Sequence, residues 1–195
     1  MLDHLLSWSE HGHDRLLWVG GSSGNQDSWV TEMSTDLVQA LQPRSITSLF
    51  IFCDAPDGGR PTPLTLVRRL LIQLLELRPQ LAYRHPELCN TWRFQKGLVT
   101  FGQVWRVFEQ LAAKVSGLFI VVDRVEECEA DEQADLVHDL LPALIDLADQ
   151  YTDISVIVTS ICDPPEEVDE LPLYSAYIDT SIVGKRISGH RIGVR

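Results

Sequence analysis

A chain of 195 residues with 45% hydrophobic and 23% charged side chains can bury one self-supporting core and is neither disordered nor fibrous. Its net charge of −12 lacks the basic footprint that a phosphate backbone requires, which excludes an ordinary nucleic-acid binder. No apolar run approaches the roughly 18 residues that span a bilayer, and the first residues lack the basic flank and long apolar stretch of a signal peptide, so a soluble, cytoplasmic single domain is expected.

The first apolar run, RLLWVGG at 15–21, reads as a strand buried on both faces. It leads through a glycine-containing loop into a helical pattern over 27–42, DSWVTEMSTDLVQALQ, which is how a phosphate-binding loop begins. In the form GxxxxGK[ST], backbone amides cradle phosphate, the lysine neutralises it, and the hydroxyl holds magnesium. Gly21, Gly24 and Ser28 fall in register, but Gln26 stands at the second motif glycine and Asp27 at the lysine. These residues alone leave open a nucleotide site, a former one, or a chance arrangement of glycines.

A second strand read as buried on both faces, SITSLFIFCD (45–54), runs into the proline- and glycine-rich loop DAPDGGRPTP and then a helical pattern over 63–81. There Leu66, Leu70, Leu71, Leu74, Leu75 and Leu77 recur at spacings of three and four, with Arg68 and Arg69 turned away. Another helical pattern covers 100–116. The strand GLFIVVD (117–123) follows and ends in Asp123, with Glu126 and Glu127 three and four residues on. A Walker B segment presents a magnesium-side aspartate and a water-activating carboxylate in this layout; a buried strand ending in an acidic turn is the plainer alternative. The pattern over 130–151 opens with acids, as suits a helix N-terminus. ISVIVTSI (154–161) then brings Thr159 and Ser160, and YSAYIDTSIV (174–183) is a weaker fifth strand.

Strands alternating with helices of this length predict an α/β three-layer sandwich with a mostly parallel sheet. Its polar loops converge at the carboxyl ends of the strands, giving an acidic rim of Asp27, Asp54, Asp57, Asp123, Glu126, Glu127 and Asp163. The last fifteen residues, 181–195, hold Lys185, Arg186, Arg191 and Arg195 and no acid, leaving 12 basic against 28 acidic residues in 1–180. This basic tail is solvated, folds back on the acidic body, or meets an anionic partner.

Cys53, Cys89, Cys128 and Cys162 show no CxxC pairing and read as reduced, mostly buried thiols. The histidines are scattered, and HGH at 11–13 can chelate a metal but reads as an exposed loop. Trp8, Trp18, Trp29, Trp92 and Trp105 sit within apolar patterns and belong to core or interface packing. No GxSxG elbow or Cys/His pair signals a nucleophile.

Taken together, LLWVGGSSGNQDS, LFIFCDAPDGGRPTPLTLVRRLLIQLLEL, IVVDRVEEC and TSI resemble the NACHT-type domain of the STAND class of P-loop NTPases, in its fungal and nephrocystin-like versions. The corresponding patterns there are LLWIxGxPGSGKS, FFFCxxxD with LLRSLLxQLL, FIDGLDEC and TSR, and the match runs from about Trp8 to about Ser160. The resemblance implies ATP or GTP with magnesium. Gly21, Gly24, Gln26, Asp27 and Ser28 would lie on phosphate, Ser28 and Asp123 on the ion, and Glu127 or Glu126 would activate water. It also implies a cytoplasmic switch working through a protein partner or homo-oligomer.

The departures point away from nucleotide. Unit charges about 4 Å apart interact by about 4 kcal/mol at an effective dielectric near 20. Exchanging a lysine's attraction for an aspartate's repulsion therefore costs up to roughly 8 kcal/mol, the whole of a micromolar complex. Gln26 adds a side chain where backbone must approach closely, and Ile161 replaces the arginine of TSR. The expected function is thus a degenerate signalling or interaction module with weak or no nucleotide binding. The alternative is an active NTPase with a non-standard loop, drawing a cation from Lys185 or Arg186. Without nucleotide, Asp27, Asp123 and Glu127 share a proton, pair with Arg124, or hold a divalent ion.

Overall fold

Side chains alternate across a strand, so a strand that is apolar throughout needs a cover on both faces. In the computed structural model, which describes residues 15–20, 28–41, 46–53, 60–90, 99–128, 139–160, 174–177 and 188–191, β1 (Leu16–Gly20), β3 (Leu118–Asp123) and β4 (Ile154–Ser160) are buried at every position. β2 (Thr47–Phe52), β5 (Tyr174–Tyr177) and β6 (Ser188–Arg191) complete one sheet in the order β2-β3-β4-β1-β5-β6. The first five strands run parallel, and β6 pairs antiparallel with β5.

The two faces are covered differently. Leu17, Val19, Phe119, Val121 and Ile157 pack against Met33, Leu37, Val38 and Leu41 of α1 (Ser28–Leu41). Leu16, Trp18, Leu49, Ile51, Leu118, Ile120, Val122 and Val156 point to the opposite face. There they meet α2 (Pro63–Leu77), α5 (Phe101–Ala112) and α6 (Leu141–Gln150). Between α2 and α5 lie two short helices, α3 (Gln80–Arg84) and α4 (Pro86–Asn90). The expected three-layer α/β sandwich with a mostly parallel sheet is the fold observed.

Local chemistry sets the helix starts. Thr62 caps α2, with Pro63 as its first residue, where a missing N–H costs nothing. Thr100 and Gln103 form a reciprocal capping box at α5. Gly117, at φ 69°, makes the left-handed turn into β3.

Several expectations need correction. β2 is not buried on both faces: it alternates, and Phe50 is 37% exposed, because it is the sheet's edge strand. On α2 the leucine stripe holds through Leu74, but Leu77 is 52% exposed, since the helix ends there at the lip of a groove along β2. Among the described cysteines only Cys53 is fully buried; Cys89 and Cys128 are half-buried, and all three are free thiols. Trp18 lies in the core and Trp105 stacks on Phe101 at 5.9 Å. Part of the segment read as a basic tail, Ser188–Arg191, is the sheet's last strand. The helical pattern over 130–151 is described only in its second half, and Trp8, Trp92, Cys162 and the HGH stretch lie outside the described residues. No helix among the described residues is long and apolar enough to cross a membrane.

Leu70 is fully buried at the centre of the larger core, whereas Ile72 on the same helix is 54% exposed. Leu70→Ala is expected to lower unfolding free energy by about 2–5 kcal/mol and Ile72→Ala by less than about 0.5 kcal/mol, read from urea denaturation of each variant.

Candidate functional site

Parallel strands align their carboxyl ends, and the register carries the candidate residues to one edge. Gly20 of β1 lies beside Ser160 of β4, and Phe52 of β2 beside Asp123 of β3. Because Val122 pairs with Val158, Asp123 and Thr159 stand next to each other one step further on.

Asp123 is 1% exposed, and both of its carboxylate oxygens accept hydrogen bonds. Ser34 Oγ and Thr159 Oγ1 donate to Oδ1 at 2.8 and 2.5 Å, and Thr31 Oγ1 donates to Oδ2 at 2.9 Å. The Asp123 main-chain carbonyl accepts from the Cys53 amide at 3.0 Å. Three hydroxyls and, among the described residues, no basic side chain meet this carboxylate. Hydrogen bonds to a charged acceptor are the stronger kind, and here they compensate the desolvation that burial imposes.

Sequence reasoning missed Thr31 and Ser34. A signal was present: Ser34 sits on the apolar stripe of α1 with Leu37, Val38 and Leu41, and a hydroxyl inside a buried stripe requires a partner.

The residues after β3 form a second cluster. Arg124 adopts φ 58°, ψ 55°, a left-handed conformation that costs an ordinary side chain on the order of 1 kcal/mol. The nephrocystin-like pattern FIDGLDEC has glycine at this position. The single turn of 3₁₀ helix Val125–Glu127 then brings both glutamates back onto Arg124. Its Nη2 donates to Glu127 Oε1 at 2.9 Å, and its Nε lies 3.6 Å from Glu126 Oε1. Glu127 Oε2 also lies 3.7 Å from Arg60, and Glu126 Oε2 accepts from Ser160 Oγ at 2.8 Å. Cys128 Sγ donates to the Pro61 carbonyl at 3.1 Å. The segment after β3, the last residue of β4 and the segment leading into α2 are therefore cross-linked.

Of the three acids expected to share a proton, pair with Arg124 or hold a divalent ion, Asp27 lies outside the described residues. Arg124 pairs with Glu127 and flanks Glu126, while Asp123 is satisfied by hydroxyls. Nearby, burial pushes the Cys53 thiol well above its ordinary range, with the neighbouring Cys128, Asp123 and Glu126 adding to the effect, so Cys53 stays a protonated core residue.

Asp123, Glu126, Glu127, Thr159 and Ser160 are thus brought to one edge. Ser28 is the first residue of α1, and its side chain lies outside what the structure describes. Gly21, Gly24, Gln26, Asp27, Asp54, Asp57, Ile161, Asp163, Lys185 and Arg186 also lie outside the described residues. No cluster of three or more His, Cys, Asp or Glu side chains arranged for a metal ion occurs among the described residues.

A strand ending at Gly20, a helix starting at Ser28 and another strand ending in a buried aspartate form the frame against which known proteins can be compared. Among solved structures, a Walker-type ATPase of Pyrococcus abyssi is similar with a TM-score of 0.50 at 14% identity, covering 82% of this chain and 44% of that one. PCH-2 of C. elegans is similar with a TM-score of 0.41 at 12% identity, covering 91% and 41%. The chain spans less than half the length of either. The first likeness supports the fold alone, and the second carries no argument. No curated protein matches the sequence significantly. The family model described as Nephrocystin 3, N-terminal, matches residues 2–161, most of the chain and all of the edge assembled above: the protein belongs to the Nephrocystin 3 N-terminal family and has a P-loop NTPase-like fold.

Proposed function

We propose that this chain is a degenerate P-loop domain of the NACHT/STAND kind, acting as a signalling or protein-interaction module with weak or no nucleotide binding. The observation that carries this reading is the state of Asp123: its carboxylate is buried and already engaged by Thr31, Ser34 and Thr159. A magnesium-side carboxylate has to face an ion or its waters, and this one faces three hydroxyls. Glu127, the candidate for activating water, is held between Arg124 and Arg60, so its charge is spent on an internal pair. The described donors do not fit a magnesium nucleotide. Asp27 at the lysine position and Gln26 at the glycine position act in the same direction.

In this reading the module covers residues 1–180, with 181–195 as a basic tail of which Ser188–Arg191 form β6, and works in the cytoplasm through a protein partner or a second copy. The alternative, an active ATP- or GTP-hydrolysing domain, draws support from the position of Asp123 against the first turns of α1, and would need a cation brought in from outside the described residues. Residues 21–28 would then contact phosphate, with Ser28 and Asp123 on the ion and Glu127 or Glu126 as base.

Fluorescent ATP and GTP titrations with magnesium separate the two. The parent chain is expected to bind neither at micromolar concentration, and Gln26→Gly with Asp27→Lys to gain affinity by several powers of ten, since about 1.4 kcal/mol is tenfold. Micromolar binding by the parent that Asp123→Ala abolishes would favour the enzyme. Asp123→Asn gives an independent reading of the structural role. It keeps the volume but exchanges a charged acceptor for a weaker one and introduces donors against donors. A loss of about 1–3 kcal/mol of stability without any nucleotide is expected, measured by thermal or urea unfolding; an unchanged stability would remove the argument from Asp123.

A further inference from the structure

The open edge of the sheet carries an observation independent of the phosphate-loop question. Among the described residues, β2 has β3 on one side and no strand on the other. Its six residues, TSLFIF, are uncharged, β-branched or aromatic at all but two positions, and free of proline and glycine. Such a segment at an edge is a template for pairing with another chain. None of the usual protections, a lysine, a proline or a bulge, lies within it.

The protection comes from α2 instead. Gln73 reaches round the edge so that its Oε1 accepts from the Phe50 amide at 3.1 Å and its Nε2 donates to the Phe50 carbonyl at 2.7 Å. A side-chain amide presents one acceptor and one donor in a plane, as a peptide group does, so Gln73 occupies the place that a residue of an added strand would take. At the start of the strand, Arg78 donates to Thr47 Oγ1 from Nε at 3.1 Å and from Nη2 at 2.6 Å. Around these contacts Phe50, Leu77 and Gln73 line a groove of about 630 Å³, and Phe50 packs edge-on against Phe52 at 5.7 Å.

We propose that Gln73 is an edge guard: its amide saturates the outward backbone groups at the middle of β2 and so prevents a second copy of this chain from pairing with that strand. Apolar surface beside the strand is already exposed, with Phe50 at 37% and Leu77 at 52%. What an incoming strand lacks is a free donor and acceptor at Phe50. The guard costs the helix little, because glutamine is a good helix former and Gln73 lies on the partly exposed side of α2.

The test uses the full chain and two guard-less variants. Gln73→Met keeps length and helix propensity while removing both hydrogen bonds, and Gln73→Ala removes the side chain. Amide exchange at Phe50, followed by NMR, is expected to accelerate about five-fold or more in both. Light scattering after gel filtration is expected to show mass rising with concentration in both variants while the parent's mass stays constant. Adding Phe50→Lys to Gln73→Met places a charge on the edge and is expected to restore the constant mass. That rescue separates edge pairing from association of unfolded chains, which a lysine on β2 would not reverse. Faster exchange at Phe50 with unchanged mass overturns the proposal, as do unchanged exchange, failure of the lysine rescue, or a parent chain that associates equally.

Discussion

The carboxylate of Asp123 holds three elements of the fold in one relation. It lies at the end of β3, and the hydroxyls that satisfy it come from α1 on one face of the sheet and from β4 beside it. A carboxyl group at 1% exposure is tolerated only if its oxygens are met, so the position of α1 along β3 and β4 is fixed by polar chemistry as well as by packing. Met33, Leu37, Val38 and Leu41 would bind an apolar sheet face in several registers. Thr31 and Ser34 select the one in which the helix begins against the carboxyl edge.

A few residues further on, the same edge manages charge in another way. Glu126 and Glu127 are kept by Arg124 within a single turn of chain, with Arg60 and Ser160 contributing from neighbouring segments. To bring its guanidinium there, Arg124 adopts a backbone conformation that glycine reaches without cost. The strain and the ion pairs belong to one arrangement. An arginine at this point converts an acidic rim, which would otherwise attract cations, into a locally balanced surface.

Much of this was legible in the sequence. Continuous apolar runs marked β1, β3 and β4, and leucines at spacings of three and four marked the buried stripe of α2. The alternation of strands and helices made a mostly parallel, three-layer architecture the natural outcome. The edge on which Asp123, Glu126, Glu127, Thr159 and Ser160 meet followed from parallel direction alone. Other features were hidden for physical reasons. The strand order is decided by tertiary packing, so nothing local distinguished β2 as the edge strand from a central one. Hydrogen bonds between residues 92 and 36 positions apart, as for Thr31 and Thr159 with Asp123, have no periodic signature. β6 is four residues of low apolarity, too short and too polar to stand out from a tail.

The place of β1 in the sheet governs how the chain reaches this structure. Although it is the first described strand, both of its neighbours are late ones, β4 and β5, and Leu16 pairs with Val156. β2, β3 and β4 are neighbours in chain order, whereas β1 takes a place beside β4 that lies far from it along the chain. The β1–β4 pairing therefore closes a far longer loop than either pairing among β2, β3 and β4, and the entropy of closing it is lost before its contacts are gained. The edge that carries Asp123 is completed by the same pairing, which sets Gly20 beside Ser160, so the candidate site is whole only when segments far apart in the chain have met.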